Sequence, residues 1–130
     1  MRHGARWLAL AVAGLVGAPA CGDEFGIDDV LGIWNTHTIN GYAVPGTVVY
    51  EGVTYQTAYV RWTFYDGGLC TLTQQVDDIT ATYDSCEYTI DADQETIAIV
   101  LLSQEWNGSV DGSRMTLTDP QSVVWILRAQ

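Results

Sequence analysis

From residue 30 onward, apolar and polar side chains follow one another in short stretches, and none sustains a helical period. The stretches are rich in Val, Ile, Thr, Tyr and Trp and are separated by turn residues, which is the pattern of β-strands. Residues 30–39 form the first predicted strand, closed by Asn40-Gly41, a dipeptide suited to a tight hairpin. A brief continuation over 42–44 breaks at Pro45-Gly46, and 47–50 ends at Glu51-Gly52. Val53–Tyr65 is a long predicted strand in which Val60, Trp62 and Phe64 share one face and Arg61, Thr63 and Tyr65 the other. Leu69–Val76 follows the Asp66-Gly67-Gly68 turn, and 82–90 follows a turn at Asp77-Asp78. Residues 96–103 are the most apolar stretch, so burial on both faces, or one face against something outside, is expected there. Strands over 106–110, 114–118 and 123–129 complete the series.

Eight or nine strands joined by two to five residues cannot be linked by parallel crossovers, so sequence neighbours should pair antiparallel. Closing such a sheet on itself removes its exposed edges. The expectation is an all-β fold, a small antiparallel meander β-barrel over 30–130, with a two-sheet sandwich as the alternative.

Cys70 and Cys86 straddle the Asp77-Asp78 turn. Facing positions in a hairpin have a constant index sum, and this pair is centred on Asp78. A loop of Asp77-Asp78-Ile79 would set the two cysteines opposite each other on one face, within reach of a disulfide. Two buried free thiols are the alternative.

The N-terminus differs in kind. Met1 to Arg6 is basic, 7–18 is apolar and uncharged, and Ala18-Pro19-Ala20 precedes Cys21. That order is an export signal over 1–20, too short to span a bilayer core of about 30 Å. Ala18-Pro19-Ala20-Cys21 resembles a bacterial lipobox, which would make Cys21 the lipidated first residue. Leucine is usual three places before the cysteine, where Ala18 stands here, and an ordinary signal-peptidase site fits the same bond. Three cysteines are an odd number, and lipidation of Cys21 would remove an unpaired thiol from an oxidising compartment. Residues 21–29 read as a flexible acidic tether.

Charge narrows the partners. All 16 acidic residues lie beyond residue 20, against three arginines there and no lysine, so the mature chain carries −13. Such a surface repels phosphate backbones and makes nucleic acid a poor candidate partner, so none is expected. Without lysine, Schiff-base and P-loop chemistry are excluded.

Gly32-Ile33-Trp34 is similar to the opening of a lipocalin-like domain, and Val123-Val124-Trp125-Ile126-Leu127-Arg128 to its closing strand. Ile39-Asn40-Gly41-Tyr42-Ala43-Val44-Pro45, the glycines near 66–68 and Arg114-Met115-Thr116-Leu117-Thr118 fit small bacterial lipocalin-like lipoproteins. The resemblance covers residues 30–129. It implies a barrel closed at one end by Trp34 stacked under Arg128, a structural pair. The chain is much shorter than full-length lipocalins and lacks a convincing C-terminal helix.

Catalytic chemistry finds little support. His37 is the only neutral-pH base of the mature chain, and strand alternation puts it on the face opposite Trp34. No serine sits in a nucleophile elbow. Asp91, Asp93 and Glu95 alternate in a manner that suits oxygen ligands for calcium, but without the glycine and length of an EF-hand loop they read as a hairpin loop. No catalytic residue, metal site or cofactor is expected.

The aromatics carry more information. Four Trp, seven Tyr and two Phe follow residue 20. A barrel of about eight strands is wide enough to be filled by side chains or to hold one small ligand. Val60, Trp62, Phe64, Leu72, Tyr88 and Ile90 are the candidate ligand-lining positions. The expected function is an exported, lipid-anchored envelope protein, monomeric, binding a small hydrophobic or amphipathic ligand. The alternative is a filled barrel with a structural or interaction role.

Overall fold

The computed structural model describes residues 25–130. The expected signal segment and Cys21 lie outside the described residues. The described chain is all-β, with one short 3-10 turn at Ile27–Asp29. Its strands are β1 Gly32–Ile39, β2 Tyr42–Ala43, β3 Gly46–Tyr50, β4 Val53–Tyr65, β5 Leu69–Val76, β6 Ile79–Tyr83, β7 Cys86–Asp91, β8 Thr96–Leu101, β9 Gln104–Asp111, β10 Arg114–Thr118 and β11 Val124–Ala129.

Eight of these form a closed antiparallel barrel. The ring runs β1-β11-β10-β9-β8-β7-β5-β4 and closes by pairing β4 back onto β1, Trp34 facing Trp62. Every neighbouring pair in the ring is consecutive among the ring strands except β1 and β11, the first and last, which meet to close it. Strands β2, β3 and β6 lie outside the ring as hairpin extensions of β1, β4 and β5. The connections at 40–41, 51–52, 77–78, 102–103 and 119–123 gather at one end. Those at 66–68, 92–95 and 112–113 gather at the other, with both ends of the described chain.

That second end is closed. Val30 is fully buried, and Phe25 packs against the core. The indole N–H of Trp34 donates to the Val30 carbonyl at 2.8 Å. Residues 25–30, expected to belong to a solvated tether and first strand, instead make a turn tucked under the barrel. Trp62 and Phe64 fill the space above, and Phe64 meets Tyr88 edge-on at 5.1 Å. The Tyr88 hydroxyl donates to the Tyr65 carbonyl at 2.6 Å. Burial raises the Tyr88 phenol above its ordinary value, with a smaller push from the charge of Asp66.

Two bulges shape the ring. β1 slips register between Thr36 and Thr38, and β4 between Thr57 and Tyr59. Each inserts one residue and reverses which side chains face inward beyond it. Hence Tyr55 and Thr57 share the interior with Val60, Trp62 and Phe64, and Ile39 shares it with Trp34 and Thr36.

The seam between β5 and β7 is thin. One residue pair, Leu69 with Glu87, is in register there, and Tyr88 N–H donates to Gly68 O at 2.9 Å. The Cys70–Cys86 disulfide spans this seam, with Cα atoms 5.0 Å apart. The predicted stretch 82–90 is broken at Asp84-Ser85 into β6 and β7. The hairpin loop is therefore Asp77-Asp78 alone, not three residues, and the one-residue offset is absorbed at that break.

Candidate functional site

At the first end the interior is not filled. A cavity of ≈ 310 Å³ lies there, the lower range of small-molecule sites. Its apolar wall comes from Ile39 on β1, Val48 on β3, Val60 on β4, and Leu72 and Val76 on β5. Its floor is aromatic. Trp106 on β9 and Trp125 on β11 meet at 71° with centroids 4.9 Å apart, and Trp62 packs edge-on against both from below. Beneath the cavity, the Trp62 indole N–H and the Thr36 hydroxyl are buried without a hydrogen-bond partner among the described residues.

The polar groups of the wall are Tyr50, Tyr55, Thr57, Gln74 and Asp119. Asp119 organises them. It is 4% exposed, in the loop between β10 and β11. One carboxylate oxygen accepts the backbone N–H groups of Gln121 and Val123, each at 2.9 Å. The other accepts the Tyr50 hydroxyl at 2.7 Å and the Trp125 indole N–H at 3.0 Å. Among the described residues four donors meet the carboxyl, which offsets the cost of burying it. Tyr50 reaches across from β3, and the Gln121 side-chain amide lies 3.1 Å from the same hydroxyl. Burial pushes the Tyr50 phenol well above its ordinary range, and the bond to Asp119 pushes it further.

Of the candidate lining residues, Val60 and Leu72 face the cavity. Trp62, Phe64 and Tyr88 are packed below it, and Ile90 is half-buried against the core. The pairing of Trp34 with Arg128 is corrected. Arg128 lies across from Asn35 and Arg114, is exposed, and follows the buried Leu127, so alternation places it on the outer face while Trp34 points in. His37 is exposed, at the bulge of β1. Asp91 closes its own loop by accepting the N–H groups of Asp93 and Gln94.

Sequence reasoning missed Asp119, read as a turn residue, and Tyr50, Tyr55 and Thr57. The β4 bulge hides Tyr55 and Thr57, because strict alternation assigns them to the Arg61 face. No pattern in the sequence links Tyr50 to Asp119, 69 positions away.

No protein-family model matches the chain, and no curated protein matches it. Among solved structures, the chain is similar to the crystal structure of a mutant of the fluorescent protein UnaG. The two are 12% identical, the match covers 81% of this chain and 98% of that one, and the TM-score is 0.35.

Proposed function

We propose that this chain is an exported, lipid-anchored protein of lipocalin-like type that holds one small hydrophobic or amphipathic molecule in the cup above its aromatic floor. The observation that carries this reading is the cavity of ≈ 310 Å³. It combines apolar walls with a few fixed polar groups, the usual make-up of a binding site. The order of basic, apolar and small residues before Cys21 supports export and lipidation. The role is binding rather than catalysis, since Asp119 is fully engaged by donors and His37 stands on the outer surface.

A filled barrel working through surface contacts is the second reading. The packed lower half, with Trp62 and Phe64 fully buried, favours it. A native mass spectrum of protein extracted from its own membranes separates the two. A diacylglyceryl mass on Cys21 and a retained small molecule at one per chain are expected. An unmodified Cys21 removes the anchor, and a ligand-free spectrum together with failure to bind a neutral dye such as Nile red removes the cup as a binding site.

A further inference from the structure

We propose that the occupant of the cup is a cationic amphiphile, an alkyl chain bearing a quaternary or protonated amine, and that anionic amphiphiles are rejected. This rests on the cup being a binding site and names the class of molecule it takes.

Three observations converge. First, among the described residues the cavity wall contains one carboxylate, Asp119, and no basic side chain. Among the described residues the basic side chains are His37, Arg61, Arg114 and Arg128. His37, Arg114 and Arg128 are exposed, and Arg61 lies on the outer face over the Tyr59 ring at 4.7 Å. An anionic headgroup entering the cup meets no counter-charge and one like charge.

Second, the donors that could receive an anion beside Asp119 are already directed elsewhere. The Tyr50 hydroxyl and the Trp125 indole N–H both donate to Asp119. The polar wall therefore presents a fixed negative charge ringed by its own donors, and what remains at Tyr55, Thr57 and Gln74 is uncharged.

Third, the same space is lined by aromatic side chains. Tyr50, Tyr55, Trp106 and Trp125 line it, and the two indoles stand at 71° to one another. Aromatic rings beside a carboxylate are the chemistry that holds an alkylammonium, through the ring quadrupole at close range and Coulomb attraction beyond it. The walls at Val48, Val60 and Leu72 take the alkyl chain.

The test is a titration of the folded barrel with three ligands of equal chain length, below their micellar concentrations: decyltrimethylammonium, decanol and decanoate. Fluorescence of the tryptophans reports occupancy at about 0.15 M salt, where surface charge is largely screened. The cation should bind at least about tenfold more tightly than the alcohol, and decanoate more weakly than either. Asp119→Asn should narrow the gap between cation and alcohol, and Gln74→Lys, which adds a positive charge to the wall without touching the Asp119 network, should raise decanoate affinity above that of the cation. Decanoate binding as tightly as the cation to the unaltered protein would overturn the charge selection while leaving the cup a binding site. A cation preference unchanged in both variants would assign it to the acidic outer surface and overturn it equally. No binding of any of the three would remove the binding reading itself.

Discussion

The Tyr50 hydroxyl donates a 2.7 Å hydrogen bond to the buried carboxylate of Asp119, tying β3 to the loop between β10 and β11. β3 is outside the barrel ring, and Asp119 is within the wall of the cup, so this bond fixes the rim over the cavity. Hydrogen bonds to charged groups are worth about 1.5–3 kcal/mol, and Tyr50 is only half-buried. Tyr50→Phe should therefore lower stability by about 1–2 kcal/mol in urea unfolding at neutral pH.

Tyr50 and Tyr88 both hold their protons more tightly in the fold than a free tyrosine, chiefly through burial. A raised folded value means the unfolded chain loses its proton first. The stabilisation is fully present below about pH 10 and is lost as pH rises from there through the folded values. Urea midpoints measured from neutral pH to pH 11 should fall steeply at the alkaline end, and less steeply in Tyr50→Phe. A flat profile would contradict the burial of both phenols.

The Cys70–Cys86 disulfide closes a loop of sequence separation 16 across the thinnest seam of the ring. In the chain-entropy model a loop of that size contributes roughly 3 kcal/mol. A Cys70→Ala/Cys86→Ala variant should lose about that much stability. Its backbone amides in β6 and β7 should also exchange faster than those in β9 and β10, because one residue pair is left to hold β5 to β7. Uniform acceleration around the barrel would show that the bond does not guard this seam.

Gly108 sits within β9 where a methyl group would run into the Thr116 carbonyl oxygen and the Leu117 side chain of β10. Backbone cannot yield as a flexible side chain does. Gly108→Ala should cost about 1–3 kcal/mol by urea unfolding, while Gly67→Ala, where nothing lies within 4 Å, should suffer only the strain of its positive φ. Equal losses would mean the β9–β10 approach is looser than the structure gives.

The fold was legible where turn chemistry and alternation agree. Asn40-Gly41 has the positive φ values its dipeptide announces, and Val53–Tyr65, Leu69–Val76 and Arg114–Thr118 begin and end where turn residues place them. The strand expected over 96–103 instead stops at Leu101, because Leu102 and Ser103 form a tight turn with φ of 52° and 67°. Neither residue favours that conformation, so no signal marked it. Replacing them by Leu102→Asn and Ser103→Gly should raise stability by about 0.5–1 kcal/mol in thermal or urea unfolding. The site was less legible. Val60 and Leu72 were reachable by parity, but the bulge of β4 concealed Tyr55 and Thr57. The contact of Tyr50 with Asp119 depends on ring closure, which local sequence does not encode.

The cup as a binding site is tested most directly by following the indole N–H resonances of the folded protein during an NMR titration with decanol. Trp106 and Trp125 border the cavity, whereas Trp34 is sealed at the opposite end with its N–H on the Val30 carbonyl. Occupancy of the cup predicts that the Trp106 and Trp125 signals move along one saturable curve while that of Trp34 stays in place. Signals that do not move, or that all drift together without saturation, would contradict it.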